Sequence, residues 1–412
     1  MEYIEKVEYL RKKLNRHAKR VSDRYSYYDM KYYDHNFSVT IPSRIRHRFK
    51  ATIGWASKAV DALADRLVFR EFKNDKFSIN EIFKKNNPDI FFDSVILNAL
   101  IASCTFVYIS KGEDGQPRLQ VIEANNATGN IDPITGLLKE GYAVLDRGEK
   151  NKPILEAYFD SKQTVFIIDG DTQEERWEVI KHSAGHPLLI PVIHRPDAVR
   201  PFGRSRISRA VMYWQKYAKS TLERAEVTSE FYSFPQKYIL GMSSEAEQLD
   251  TWKATISSML RIDKDGDGDK PTIGQFQASS MAPFVEQLRT AASGLAGETG
   301  LTLDDLGFVS DNPSSAEAIK ASHETLRVMA EKAQRSFSSG LLNVGYVACC
   351  LRDGRAYKRD EFYNLEVKWD PVFKPDAAAL STIGDGAIKI NQAIPGYLDE
   401  EVMRDLTGIK GE

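Results

Sequence analysis

Apolar residues at Ile4, Val7, Leu10, Leu14 and Val21 recur at helical spacing with charges between them, which predicts an amphipathic helix over residues 2–24. A non-helical stretch leads to Pro42, and from Phe49 the helical period returns through Ile53, Ala56, Val60, Leu63, Ala64 and Leu67. Pro88 opens an apolar segment, Ile90–Cys104, long enough for a buried helix and too short to span a bilayer. After it the period drops to two. Thr105–Ser110 and Arg118–Glu123 flank a Gly112–Pro117 turn and read as a hairpin. Strand-like runs follow at Gly141–Leu145, Ile154–Phe159, Thr164–Ile168 and Arg176–Ile180, which predicts an antiparallel or mixed sheet. The first 200 or so residues are thus α+β rather than regularly alternating βαβ.

Past Pro201 the pattern lengthens. Ile207, Ala210, Val211, Trp214, Ala218, Leu222 and Ala225 predict one long helix, Ser205–Phe234, of roughly 40 Å at 1.5 Å per residue. Pro235 stops it. A smaller module is expected next: a strand Lys237–Leu240, a helix begun by the capping box Ser244-x-x-Glu247, a Gly/Asp-rich turn and a strand Thr272–Phe276. Pro283–Ala296 reads as a helix. The loop Gly300–Asn312 leads to Pro313, a second capping box Ser314-x-x-Glu317, and a helix reaching about Leu351, with Ile319, Leu326, Ala330, Ala333, Phe337 and Leu341 on one face. A strand Asn364–Asp370 and short helices near Ala378–Ala393 and Asp399–Leu406 complete the chain. No repeat or low-complexity tract is present.

With 412 residues, 42% of them hydrophobic, the chain has enough apolar material for two or three cores. Three cysteines make no disulfide framework, and adjacent Cys349 and Cys350 in an apolar stretch are expected to be buried thiols. No run of about 18 apolar residues marks a membrane span, and the opening Met1–Lys6 lacks the apolar core of a secretory signal. The formal net charge of -2 argues against a protein that coats DNA tightly. The charge is uneven, however, for residues 1–50 hold 13 Lys and Arg against 6 Asp and Glu. The cluster Arg11, Lys12, Lys13, Arg16, Lys19, Arg20, with Tyr25, Tyr27, Tyr28, Tyr32 and Tyr33 after it, has the composition of a nucleic-acid-binding arm. It has equally the composition of a solvated amphipathic helix whose arm packs on a neighbour.

Catalytic signatures are absent: no phosphate-binding glycine loop, no dinucleotide fingerprint, no HExxH and no CxxC. The chain is expected to be no enzyme and to need no cofactor, and its seven histidines show no metal-ligand spacing. Asp263-x-Asp265-x-Asp267-Gly268 matches the first half of an EF-hand loop, but Gly274 stands where the bidentate Glu belongs. A solvated acidic turn, with Asp269 as its fourth carboxylate, is the simpler reading. Leu301-Thr302-Leu303-Asp304-Asp305-Leu306-Gly307-Phe308 is either a plain connector with buried leucines or an acidic loop presented at an assembly surface.

Three stretches, in order and at matching separations, resemble the Gp6-like portal proteins of tailed bacteriophages. The first comprises the basic N-terminal helix, Tyr27–Tyr33 and Trp55-Ala-Ser-Lys-Ala-Val-Asp-Ala-Leu-Ala-Asp-Arg-Leu67. The second is Pro191-Val-Ile-His-Arg-Pro196 continuing to Gly203-Arg-Ser-Arg-Ile207. The third is Glu298-Thr-Gly-Leu301, Leu306-Gly307 and Ser310-Asp-Asn-Pro-Ser-Ser-Ala-Glu-Ala-Ile319. The resemblance implies a portal fold: an α/β wing (1–204), a stem helix (205–234), a small mixed clip module (235–280) and a second stem helix (281–296). A tunnel loop (297–312), a long helix with the rest of the wing (313–375) and a small helical crown (376–412) complete it. It further implies a ring of about twelve copies at one capsid vertex, through which double-stranded DNA is packaged and ejected. Terminase large subunit, head–tail adaptor, major capsid and scaffold proteins are the implied partners, with assembly in the host cytoplasm and residence in the virion. Leu301, Leu303, Asp304, Asp305, Phe308 and Asp311 then belong to the tunnel loop, and Asp263, Asp265, Asp267 and Asp269 to a docking face on the clip. The sequence departs from the family at Thr302-Leu303, where relatives often carry proline. The alternatives left open are a DNA-binding enzyme of a mobile element and an assembly adaptor that touches no DNA.

Overall fold

A computed structural model of the protein describes residues 2–32, 50–149, 151–169, 175–233, 237–240, 272–275, 280–308 and 321–409. The chain divides into two compact units: Met1–Tyr32, Gly54–Met212 and Ala296–Glu412 form the first, and Tyr33–Ile53 with Tyr213–Leu295 the second.

In the first unit α1 (Glu2–Tyr28) lies against a five-stranded antiparallel sheet in the order β4-β5-β6-β7-β8: β4 Ala127–Ile131, β5 Leu138–Arg147, β6 Pro153–Phe159, β7 Gln163–Asp169, β8 Glu175–Lys181. The apolar stripe read from the sequence is the face that docks. Val7, Leu10 and Leu14 are buried among Tyr142, Val144, Tyr158, Val165 and Ile167. The helix runs four residues past the expected end at position 24. Its last turn is tied down by Tyr25, whose hydroxyl donates to Asn98 Oδ1 (2.6 Å), and by Tyr28, whose hydroxyl donates to Asp61 Oδ1 (2.8 Å).

A second sheet in this unit, β3-β2-β9, holds the expected hairpin as β2 (Cys104–Lys111) and β3 (Pro117–Glu123), with β9 (Leu189–Ile193) antiparallel to β2. Every residue of β9 is buried, so it carries no polar alternation by which to find it. Its Pro191 is tolerated because β9 is an edge strand. Helices α2 (Trp55–Ala64), α3 (Ile79–Lys84) and α4 (Pro88–Ala102) and the 30-residue α7 (Glu324–Asp353) complete the core. Cys349 and Cys350 are buried in α7, as their surroundings predict, and Cys104 is buried too. Burial pushes the Cys104 and Cys349 thiols up to about 12, so these are inert packing groups. Strands β1 (Phe69–Lys73) and β12 (Glu366–Trp369) pair antiparallel, and Phe69 stacks on Phe92 at 3.8 Å between centroids. Towards the C-terminus, α8 (Ala377–Ala393) leads to α9 (Glu400–Thr407). The latter is held by Asp405, which accepts from Arg70 and from Lys368 Nζ (3.2 Å).

The long helix α5 starts at Arg209, not Ser205, and ends at Ser233; its residues from Tyr213 on belong to the second unit. The four residues before it are spent on anchoring. Arg206 N–H donates to Leu100 O (2.8 Å), and Ser205 Oγ to Ile101 O (2.5 Å). Ser208 Oγ then caps the helix by accepting from Val211 N–H (3.2 Å). The two strands expected from the pattern are present as β10 (Lys237–Leu240) and β11 (Thr272–Gln275), and they pair antiparallel. Helix α6 returns over Ala282–Thr299, three residues past the expected end at Ala296. The helices pair antiparallel: Trp214 meets α6 at Gly294, and Thr221 meets it further back at Gln287. A Cβ at Gly294 would run into the Trp214 ring, so glycine is what allows the close approach. The capping boxes at Ser244 and Ser314 lie outside the described residues, as does Asp263–Asp269.

Candidate functional site

The acidic loop begins where α6 ends. Gly300 (φ +68°) and Gly307 (φ +90°) adopt the left-handed conformation on either side of a single 3-10 turn, Asp304–Leu306. That turn is fixed reciprocally. Thr302 N–H and Oγ1–H both donate to Asp305 Oδ2 (2.9 Å each), and Asp305 N–H donates to Thr302 Oγ1 (3.1 Å). Proline has neither donor and could not make this turn in the same way. Leu301 and Leu306 are buried and Leu303 half-buried, as a connector with packed leucines requires. Phe308 packs edge-on to Trp55 at 6.5 Å. The two aspartates part company: Asp305 is half-buried and engaged, with His323 Nδ1 at 3.9 Å, whereas Asp304 is exposed. Asp311 lies outside the described residues.

Behind the loop sits a residue that sequence reasoning passed over. Arg206 is buried, and among the described residues no carboxylate pairs with it. Its Nε donates to Ala59 O in α2 (3.0 Å), its Nη2 to Thr299 O at the end of α6, and its Nη1 lies 3.2 Å from Met329 Sδ in α7. One guanidinium thus ties the start of the loop to two helices. Burial, with Arg195 nearby, pulls its pKa down to about 10, and it stays charged at neutral pH. The Thr299 carbonyl lies at the negative end of the α6 dipole, which helps accommodate a cation without a counter-ion. The quoted Gly203-Arg-Ser-Arg-Ile207 stretch contained this residue, but nothing in its pattern distinguishes an inward arginine from a surface one.

The basic helix also divides. Arg11 faces inward, its Nε donating to Glu156 Oε1 (3.2 Å) and its Nη2 to Glu156 and to Glu175 Oε1 (3.1 Å), while the Tyr142 hydroxyl donates to the same Glu156. An adjoining cleft of about 520 Å³ is lined by charges that neutralise one another, among them Lys152 on Asp169 (2.5 Å). Lys13 Nζ donates to Gly129 O and Asn130 Oδ1 (2.7 Å each). Lys12, Arg16, Lys19 and Arg20 remain exposed. Among the described residues only Lys12 of these four lies within ion-pair distance of an acid, an exposed contact of 3.9 Å with Glu8. The tyrosines that gave the arm its nucleic-acid character are occupied, Tyr25 and Tyr28 as above and Tyr27 stacked on Tyr32 at 4.1 Å. Tyr33 is outside the described residues. Among those residues no group of three or more His, Cys, Asp or Glu is placed to hold a metal, and no helix is long and apolar enough to cross a membrane.

The chain is 24% identical over 406 residues to the portal protein of Mycobacterium phage L5, covering 94% of this chain and 82% of that one. It is also 24% identical over 398 residues to the portal protein of Mycobacterium phage D29, covering 92% and 80%. Among solved structures it is similar to a chain in the neck of a native gene transfer agent particle computed with C12 symmetry, with 14% identity, a TM-score of 0.48, and 95% of this chain and all of that one covered. A chain from the virion of that native particle is similar at 15% identity and a TM-score of 0.46, with the same coverage. The family model described as phage portal protein, SPP1 Gp6-like, matches residues 7–390. A match over so much of the chain, through residues of both units, settles the resemblance first seen in three stretches: the chain belongs to the SPP1 Gp6-like family of phage portal proteins.

Proposed function

We propose that this chain is one subunit of a ring of about twelve identical copies at a single capsid vertex, through which double-stranded DNA enters during packaging and leaves during ejection. The observation that carries the reading is the family match across residues 7–390. In this assignment α5 and α6 are the stem, β10 and β11 belong to the clip, residues 300–308 to the tunnel loop, and α8 and α9 to a small crown. Asp304 is the acidic group the loop presents to the duplex. A neutral-to-acidic lining lets a polyanion slide, whereas many phosphate contacts would hold it. Rings of this kind use heterologous contacts that close by rotation. The exposed apolar residues of the C-terminal segment, Ile388, Ile390, Ile394 and Tyr397, are suited to such contacts. The acidic turn Asp263–Asp269 is assigned to docking of the terminase large subunit and the head–tail adaptor. Major capsid and scaffold proteins are the partners during assembly in the host cytoplasm.

Negative-stain microscopy of the purified full chain tests this. Annular particles with a central hole are expected. A monomer or dimer at every salt concentration, or magnesium-dependent cleavage of duplex DNA by the chain alone, would overturn the reading.

A further inference from the structure

We infer that the outward face of α1 is a binding surface for the phosphate backbone of duplex DNA, separate from the loop that follows α6. The inference rests on the portal reading only for the choice of duplex DNA as partner. The helix sorts its cations by face. Arg11 and Lys13 are drawn inward onto Glu156, Glu175, Gly129 and Asn130. Lys12, Arg16, Lys19 and Arg20 point away from the sheet, at spacings of four, three and one residues, which places them on one stripe. Between Arg11 and Arg20 the other exposed side chains are Asn15 and His17, so the stripe has no apolar centre. Protein–protein hot spots are built on clustered aromatic or aliphatic anchors, and this face offers a single ring, the exposed Tyr9 one turn before Lys12. The field along it is positive. Burial first, and then Arg20, Lys13 and Arg16, hold the His17 pKa below its ordinary value.

The same sorting selects the form of nucleic acid. A single-strand binder needs aromatic faces for bases to stack on. Here Tyr25 and Tyr28 are hydrogen-bonded into the unit, and Tyr27 and Tyr32 cover each other's faces. What remains is a row of charges with one exposed ring, Tyr9, which suits backbone contact with a double helix better than the stacking of successive bases. From Lys12 to Arg20 the stripe runs about 12 Å, over which a duplex presents about seven phosphate charges.

The test uses the full-length protein, a fluorescein-labelled 30-base-pair duplex and anisotropy between 50 and 200 mM KCl. Four neutralised phosphates per engaged helix give a salt slope of about -3.6, a loss of about 150-fold in affinity over that range. The variant Lys12→Gln, Arg16→Gln, Lys19→Gln, Arg20→Gln is expected to weaken binding at least tenfold at 50 mM KCl and to flatten the slope. It should leave thermal stability and annular particles unchanged, because all four side chains are exposed. Lys12→Arg with Lys19→Arg should keep both affinity and slope. An unaltered Kd and slope in the fourfold variant overturns the inference even if rings form, and loss of rings in the wild type overturns the portal reading without touching this one. Poly-glutamate binding more tightly than duplex would make the face a protein-docking surface and would equally overturn it.

Discussion

His194 follows the buried strand β9, and its Nδ1 lies 2.7 Å from Arg204 O, so the neutral ring donates to that carbonyl. Burial, reinforced by Arg195 and Arg206, pulls its pKa down to about 4. The ring is therefore neutral when folded, whereas in the unfolded chain it titrates near 6.5. A folded-state pKa below the unfolded one means the contribution is complete above about 6.5 and is lost as pH falls towards 4. Between pH 7.5 and pH 5 this one residue should cost about 2 kcal/mol of stability. Urea unfolding of the wild type and of His194→Gln, whose amide can still donate, measures it. The glutamine variant should lose markedly less stability over the same interval, and equal losses would refute the assignment. Arg206 is the complementary case, a buried cation that stays charged because backbone carbonyls meet it. Neither role was legible. A histidine without metal-ligand spacing and an arginine in a short polar-looking stretch carry no mark of their depth, and only the packing of β9, α2 and α7 turns them inward.

Among the elements, α1, the β2–β3 hairpin, β5 to β8, β10 and the C-terminal helices were found from the sequence pattern. Three others were not. β9 is buried throughout, β4 contains Gly129 in close contact with Leu138 and Glu140, and α3 spans only six residues. Of the candidate site, the buried leucines of the loop were readable, but the different fates of Asp304 and Asp305 were not. They depend on where Thr302 places its hydroxyl. The docking of α1 on its sheet is also an element-scale matter, and it turns on one polar cluster. Arg11→Met leaves Glu156 half-paired with Tyr142 in a largely buried setting, which should cost about 2 kcal/mol and expose α1 to limited proteolysis. Arg11→Met combined with Glu156→Gln should recover part of that loss, since no unpaired charge remains. A double variant as unstable as the sum of both singles would show that Arg11 and Glu156 are not coupled.

For the whole molecule, near-neutrality and a confined basic surplus are two parts of one arrangement. At physiological salt, exposed charges are screened beyond about 8 Å, so the stripe on α1 acts where it stands and adds little elsewhere. The exposed Asp304 then has its own consequence. If residues 300–308 face the passing duplex, Asp304→Lys places a cation there in every subunit. Rings of that variant should retain duplex DNA at salt concentrations that release it from wild-type rings. Asp304→Asn should behave nearly as wild type, and co-sedimentation across a KCl series distinguishes them. Equal retention by all three proteins would mean that the loop does not meet DNA.

The excursion from Tyr213 to Leu295 leaves and returns through antiparallel helices pinned together at Trp214 and Gly294. A segment with neighbouring entry and exit points is a natural cassette. The strands described there, β10 and β11, pair only with each other among the described residues. A lineage can therefore vary what lies between these two helices, and chimaeric chains joined at them are the natural currency of that exchange.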